Sequence, residues 1–245
     1  MGLNARMTAI RTLNVFTGPG GRGGNSLAVV TQGAAVPHDR QRQELTAELG
    51  HSETVFVDDA RRGTVDIWTP AGRLPFAGHP LVGVGWLLGT PVLRPPAGEV
   101  PVRRDGNLTW IRAHPTWATG RHTRQYASPA DVEALPAPPP GRGWLYAWAW
   151  QDETRGAVRA RGFPRRGDHI AEDEATGAAA LTLTGQLGRP LRIHQGTASL
   201  IRTRPHADGT IEIGGRVTPG AAGAAGAGTA AQSRGAHRVP GTAGG

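Results

Sequence analysis

Two short apolar runs that each open on a glycine constrain this 245-residue chain more than any other feature. The first is Phe76-Ala77-Gly78-His79-Pro80, followed by Leu81-Val82-Gly83-Val84-Gly85-Trp86-Leu87-Leu88-Gly89. The second is Glu172-Asp173-Glu174-Ala175-Thr176-Gly177-Ala178-Ala179-Ala180, running on to Leu187-Gly188. Both read as helices. Pro80 fits a first helical turn. Acidic residues and Thr176 suit a helix start, because their side-chain oxygens accept from the free N–H groups of the first turn. Gly188 with Pro190 is a stop signal. Neither run carries a polar stripe, so each helix should be surrounded by protein. A buried helix whose N-terminus opens into a cavity offers unpaired N–H donors and positive dipole charge, which suits a carboxylate. Two such helices predict two similar halves facing one site.

What is absent narrows the chemistry. The chain has no cysteine, which excludes disulfides, thiolate zinc sites and thiol bases. Every basic residue is arginine. Without lysine there is no Schiff-base chemistry, no pyridoxal phosphate and no standard P-loop. No HExxH occurs, and the nine histidines show no metal-ligand spacing. The residues predict neither a metal nor a cofactor. The formal charge of +8 points toward nucleic acid, but the arginines read as scattered and the composition as coding bias, so no nucleic-acid partner is expected. No stretch reaches membrane-span length and no signal peptide is visible, which predicts a cytoplasmic protein.

In chain order, residues 1–10 read as a loose leader. Thr12 to Thr17 and Asn25 to Val30 read as strands across a glycine-rich loop, Gly18 to Gly24. That loop leads into a strand and not a helix, so it is no dinucleotide fingerprint. Pro37 to Gly50 reads as an amphipathic helix with Asp39 as cap and Leu45 and Leu49 on one face. Strands follow at His51 to Val57, with Glu53 at its beginning, and at Thr64 to Thr69. A second half begins near Glu99. It opens with a hairpin across Asp105-Gly106-Asn107, and Ala113 to Arg124 is ambiguous. A short helix then runs from a Ser128 cap to Leu135. Strands are expected at Trp144 to Trp150, Gly156 to Phe163, Leu191 to Gln195, Ser199 to Thr203 and Thr210 to Ile213. The expected division is 1–98, 99–218 and a disordered Ala/Gly-rich tail, 219–245.

Several of these stretches, in order, resemble one family. They are Val15-Phe16-Thr17 with Gly24-Asn25-Ser26-Leu27-Ala28-Val29-Val30, then Ser52-Glu53-Thr54-Val55-Phe56, then Leu74-Pro75-Phe76-Ala77-Gly78-His79-Pro80, then Glu172-Asp173-Glu174-Ala175-Thr176-Gly177, then Gln195-Gly196. Together they resemble the PhzF-type phenazine-biosynthesis family of the diaminopimelate-epimerase-like superfamily. The resemblance implies an α/β fold of two pseudo-symmetric halves, each a curled sheet around a central helix, with the site in the cleft between them. It also implies a homodimer and a cofactor-independent isomerase of a small carboxylate. The best-known member isomerises trans-2,3-dihydro-3-hydroxyanthranilate by moving a proton along a conjugated system. By the same resemblance Glu53 transfers the proton, His79 and Asp173 orient the substrate, and backbone at Gly78, Gly177 and Ala178 binds its carboxylate. Two positions depart from the family pattern: Glu174 stands where proline is common, and Ala178 where serine is common.

Each candidate also has a plainer reading. Glu53 could be an exposed strand-end glutamate, Asp173 a helix-capping acid and His79 a structural histidine. Asn25 reads first as a turn residue and second as a substrate contact. Trp144, Trp148 and Trp150 read as sheet packing, and Arg161, Arg165 and Arg166 as solvated. The rival functions are an amino- or hydroxy-acid epimerase using Glu53 and Asp173 as its two bases, a binding protein without turnover, and a basic nucleic-acid binder.

Overall fold

The computed structural model describes residues 10–165 and 171–220. The expected leader (apart from Ile10), Arg166 and the expected tail from residue 221 lie outside them. Among the described residues fourteen strands form one sheet, whose main path runs β5-β4-β3-β2-β1-β14-β13-β12-β11-β10-β9. In chain order these are β1 (Ile10–Thr17), β2 (Asn25–Val30), β3 (Glu53–Asp59), β4 (Thr64–Thr69) and β5 (Gly72–Leu74). Next come β6 (Val92–Leu93), β7 (Val100–Asp105), β8 (Leu108–Ala113) and β9 (Arg121–Gln125). The last are β10 (Trp144–Asp152), β11 (Ala157–Phe163), β12 (Leu191–Gln195), β13 (Ser199–Pro205) and β14 (Ile211–Pro219). Strands β6, β7 and β8 branch from β14, so β14 pairs with β1, β13 and β8.

The helices are α1 (Asp39–Leu49), α2 (Gly78–Leu88), α3 (Pro129–Glu133) and α4 (Gly177–Leu187). One pattern occurs twice. Strand β2, helix α1 and parallel strand β3 are followed by β4, the short β5 and then central α2. Strand β9, helix α3 and parallel strand β10 are followed by β11 and then by central α4. Parallel neighbours require a crossover, which α1 and α3 supply.

Both central helices are buried where the sequence lacks polar residues. Gly78 to Gly85 of α2 are all buried, as are Gly177 to Leu181 of α4. Helix α2 packs on β1, β2, β3, β8 and β14, and α4 on β9, β13 and β14. Leu81, Leu183, Val15 and Ile213 are fully covered or nearly so and belong to one core cluster. Each such side chain is worth about 1.5–3 kcal/mol of burial. Helix α4 stops where expected, at left-handed Gly188, and α2 ends in the same way at left-handed Gly89.

Local details differ from the sequence expectation. His38, not Asp39, occupies the cap position of α1, and no side chain caps that helix. Its buried residues are Arg42 and Thr46, while Leu45 and Leu49 are half-buried. The reason is electrostatic: Arg42 reaches Asp58 and, at 2.7 Å, Asp66, and donates to the carbonyls of Gly33 and Val36. Arg161 is likewise buried and not solvated. It grips Glu172 with two nitrogens and donates to the carbonyls of Val132, Glu133 and Leu135. The ambiguous stretch from Ala113 holds a single 3-10 turn, Pro115–Trp117, and then β9. Ser128 does cap α3, in a reciprocal capping box with Asp131. Trp148 packs in the main core, with Trp150 half-buried beside it.

The arginines are also less scattered than the sequence suggests. Arg192 and Arg202 are cross-strand partners on β12 and β13. Burial, Arg192 and Arg216 together hold the Arg202 guanidinium below the usual arginine range.

Candidate active site

The starts of four elements meet at one point. Asn25 opens β2 and Glu53 opens β3, the parallel strand beside it. His79 is the second residue of α2, and Asp173 lies four residues before α4. The N-termini of the two central helices abut. A Cβ placed on Gly177 would sit 3.0 Å from the Gly78 Cα and 3.0 Å from the His79 nitrogen. Only glycine at both positions allows so close an approach. Each helix end carries about half a positive charge, so the abutment concentrates positive potential and free N–H groups in one place. Acidic groups offset that potential here.

His79 Nε2 lies 3.3 Å from Glu53 Oε2. The imidazole is buried, while the Glu53 side chain keeps 19% of its surface exposed. Burial pushes the His79 pKa down to about 4, with Asp173 acting in the opposite direction. The ring is therefore neutral near pH 7. Burial, and then the nearby Glu53 charge, push the Asp173 pKa up to about 6, against His79, Thr176 and Asn25. Three titratable groups thus lie together, and two of them, His79 and Asp173, are strongly perturbed, a common property of functional sites.

Asp173 is clamped from both sides. Asn25 Nδ2 donates to its Oδ1 at 2.6 Å, and Thr176 Oγ1 donates to its Oδ2 at 2.6 Å. Its backbone bridges to Gly162 of β11. Thr176 occupies the cap position of α4 without capping it, because its hydroxyl is turned to Asp173. Asn25 spends its amide within the protein: Nδ2 also reaches the Ala175 carbonyl, and Oδ1 accepts from Ser52. It therefore fits a positioning role better than a direct substrate contact. Ala178 is buried at the second position of α4 and brings no side-chain hydrogen bond.

The two acids flanking Asp173 are tied down separately. Glu172 pairs with Arg161, and the Glu174 carboxylate accepts from the Thr197 and Ala198 amides and the Ser199 hydroxyl. Ser199 Oγ in turn accepts from the Gly24 amide, linking the loop before Asn25 to the loop that carries Asp173. Glu174 thus fills a nest of backbone donors that a proline could not use. Gln195, quoted in the sequence only as part of a motif, is 1% exposed and bonded to this loop. Its polarity inside an otherwise alternating strand was the available signal.

A cleft of about 620 Å³, lined by Glu133, Arg159, Arg161, Glu172 and Glu174 among others, lies behind this loop and does not include Glu53 or His79. Its guanidiniums are already engaged by carboxylates and carbonyls. Among the described residues no cluster of three or more His, Asp or Glu is placed to hold a metal ion, and no helix is long and apolar enough to cross a membrane.

Residues 13–116 match the family of phenazine biosynthesis-like proteins, PhzC-PhzF. Over that stretch the chain is similar to PhzF-type proteins. The matched region carries Asn25, Glu53, Gly78 and His79, while Asp173 and Gly177 fall beyond it. Among curated relatives, a trans-2,3-dihydro-3-hydroxyanthranilate isomerase of Pseudomonas fluorescens is 41% identical over 69 residues, 27% of this chain and 24% of the relative. The first relatives it matches are thus aligned over about a quarter of their length. A PhzF-family protein of Bacillus anthracis superposes with a TM-score of 0.64 at 14% identity, covering 86% of this chain and 96% of that one. A probable proline racemase of Agrobacterium radiobacter superposes at 0.53 and 13% identity, over 86% and 90%. The fold is therefore diaminopimelate-epimerase-like, a mixed α/β structure with a large curled sheet.

Proposed function

We propose that this chain is a PhzF-type isomerase that moves a proton between two carbons of a small unsaturated carboxylate. The observation that carries the reading is the convergence of Glu53, His79 and Asp173 at two abutting helix N-termini. The substrate carboxylate would lie against the free amides near Gly78, Gly177 and Ala178, where the dipole ends favour an anion. Glu53, whose side chain is more exposed than that of His79, removes a proton from one carbon. The electron pair shifts along the conjugated system, and the resulting acid returns the proton to a distant carbon. Nothing is oxidised or reduced, and Glu53 ends as it began. Neutral His79, with Nε2 3.3 Å from Oε2, brings no positive charge that would hold Glu53 ionised. Asp173 holds a hydroxyl or amino group of the substrate. No cofactor enters this sequence of steps.

The epimerase alternative needs two bases on opposite faces of one carbon. Asp173 is poorly suited as the second, since both of its oxygens already accept hydrogen bonds within the protein. The wider unit is proposed with the function: two catalytic halves at 1–98 and 99–218 followed by a tail, a cytoplasmic homodimer, and no nucleic-acid or membrane partner. Support for the halves is the repeated strand-helix-strand-strand-helix order, to which the first half adds the short β5. The homodimer rests on the family resemblance alone.

The test offers trans-2,3-dihydro-3-hydroxyanthranilate and a panel of proline-like and linear amino acids, and follows both ultraviolet absorbance and optical rotation. Conversion of an unsaturated acid without racemisation supports the isomerase. Racemisation of an amino acid supports the epimerase and overturns the proposal. Binding of these acids with no change in any of them favours the non-catalytic reading.

A further inference from the structure

The buried Gln195 side chain uses all of its hydrogen-bonding capacity on one neighbourhood. Its Oε1 accepts from the Thr176 amide at 3.0 Å and from the Tyr146 hydroxyl at 2.9 Å. Its Nε2 donates to the Asp173 carbonyl and to Thr176 Oγ1, both at 2.8 Å. A backbone N–H can only donate, so the Thr176 amide fixes which end of the Gln195 amide is oxygen. The opposite end must then be the donor. Thr176 Oγ1 receives that donor, so its own single hydrogen is left for Asp173 Oδ2, 2.6 Å away. Gly162 makes the arrangement possible, because a Cβ there would lie 2.7 Å from Thr176 Oγ1 and 3.0 Å from Gln195 Nε2.

We propose that Gln195 is a positioning residue that commits the Thr176 hydroxyl proton to Asp173, and thereby holds Asp173 ionised and aligned toward Glu53 and His79. The proposal rests on the reading of Asp173 as a site residue, and it assigns the control of that residue's ionisation. Donation into a carboxylate favours its charged form. The groups facing Asp173 that compete or assist are Glu53 from β3, His79 from α2 and the Tyr146 phenol from β10. Glu172 and Glu174 are turned to Arg161 and to the 197–199 loop instead. Without the Thr176 proton, burial and Glu53 act with less opposition, and Asp173 should stay protonated to higher pH.

The experiment is a carboxyl-carbon NMR titration of Asp173 in the full chain, which needs no substrate. Thr176→Val should raise the Asp173 midpoint by about one pH unit, a tenfold change in acidity. Thr176→Ser, which keeps the hydroxyl, should restore it. Gln195→Met should raise the midpoint in the wild-type background and add nothing in the Thr176→Val background, because Gln195 acts through that hydroxyl. An equal shift in both backgrounds, or none on Thr176→Val, overturns the proposal. If Gln195→Met does not fold, the wild-type protein still decides: the Gln195 side-chain nitrogen resonance should titrate with the Asp173 midpoint, and an unmoved resonance overturns the proposal. Loss of turnover with the titration pattern intact would instead sink the functional reading and leave this one standing.

Discussion

Adding one methyl group at Gly177 should destabilise the protein, while adding the same group eight residues further along the same helix should stabilise it. At Gly177 the new Cβ would meet the Gly78 Cα and His79 nitrogen at 3.0 Å and the Gly78 carbonyl carbon at 3.1 Å. All three are backbone atoms, so no side chain can swing aside. Ordinary carbon contacts lie near 3.5–4.0 Å, so α2 and α4 must part by about half an ångström or more. Overpacking of this kind costs about 1–3 kcal/mol. The smaller entropy of an unfolded alanine returns about 0.4–1 kcal/mol. The net loss for Gly177→Ala is therefore about 1–2 kcal/mol. At Gly185 the nearest atoms are 3.6 Å away, on Ile211 and Pro115, which is normal contact. Gly185→Ala should gain about 0.5–1 kcal/mol, the usual benefit of removing glycine from a helix interior. Urea unfolding measures both as midpoint shifts at unchanged slope. Shifts of the same sign, or a Gly177→Ala protein as stable as wild type, would refute the claim that the helix mouths touch through glycine.

Two further predictions concern charge. Arg42→Met should cost about 3–5 kcal/mol by urea unfolding, because it strips a partner from the nearly fully buried Asp66, leaving it to Arg73 and Trp68. A loss below about 1 kcal/mol would mean that the network is solvated. The titrations of His79 and Asp173 should leave opposing marks on stability. A histidine held near 4 makes the folded state bind fewer protons than the unfolded chain between about pH 6.5 and 4, so it lowers stability as the pH falls through that window. An aspartate held near 6 makes the folded state bind more protons between about pH 6 and 4, so it raises stability on the same descent. Asp173→Asn removes the second and also the charge that raises the His79 pKa, and both changes act in the same direction, so its stability should fall more steeply than wild type from pH 6 to 4. Parallel curves would contradict the raised Asp173 pKa.

The parts of this molecule that the sequence exposed are those set by local chemistry. Both central helices were legible because Leu81 to Leu88 and Ala178 to Leu183 lack a polar stripe, and the structure buries most of each. The strand starts at Asn25 and Glu53 were legible from alternation and turn residues. Long-range pairing was not. Arg42 and Arg161 look like solvent residues in a one-dimensional reading, yet each is enclosed by a carboxylate and carbonyls many residues away. The direct contact of Gly78 with Gly177 lies in the same class, since about a hundred residues separate them and only the shared sheet brings them together. Thr176 illustrates a local rule overridden, because its hydroxyl leaves the helix end for Asp173 once Gln195 occupies its lone pair. The clustering of Arg192, Arg202 and Arg216 likewise needed the pairing of β12, β13 and β14.

Carbon-bound proton exchange tests the central claim most directly. Wild type and Glu53→Gln would be incubated in deuterated water with small cyclic and unsaturated carboxylates, and deuterium uptake followed by mass. The account predicts incorporation by wild type at a carbon of the conjugated system and none by Glu53→Gln, with both proteins binding the same compound. Equal incorporation by the two proteins, or none by either while the compounds bind, would contradict Glu53 as the proton-transferring group.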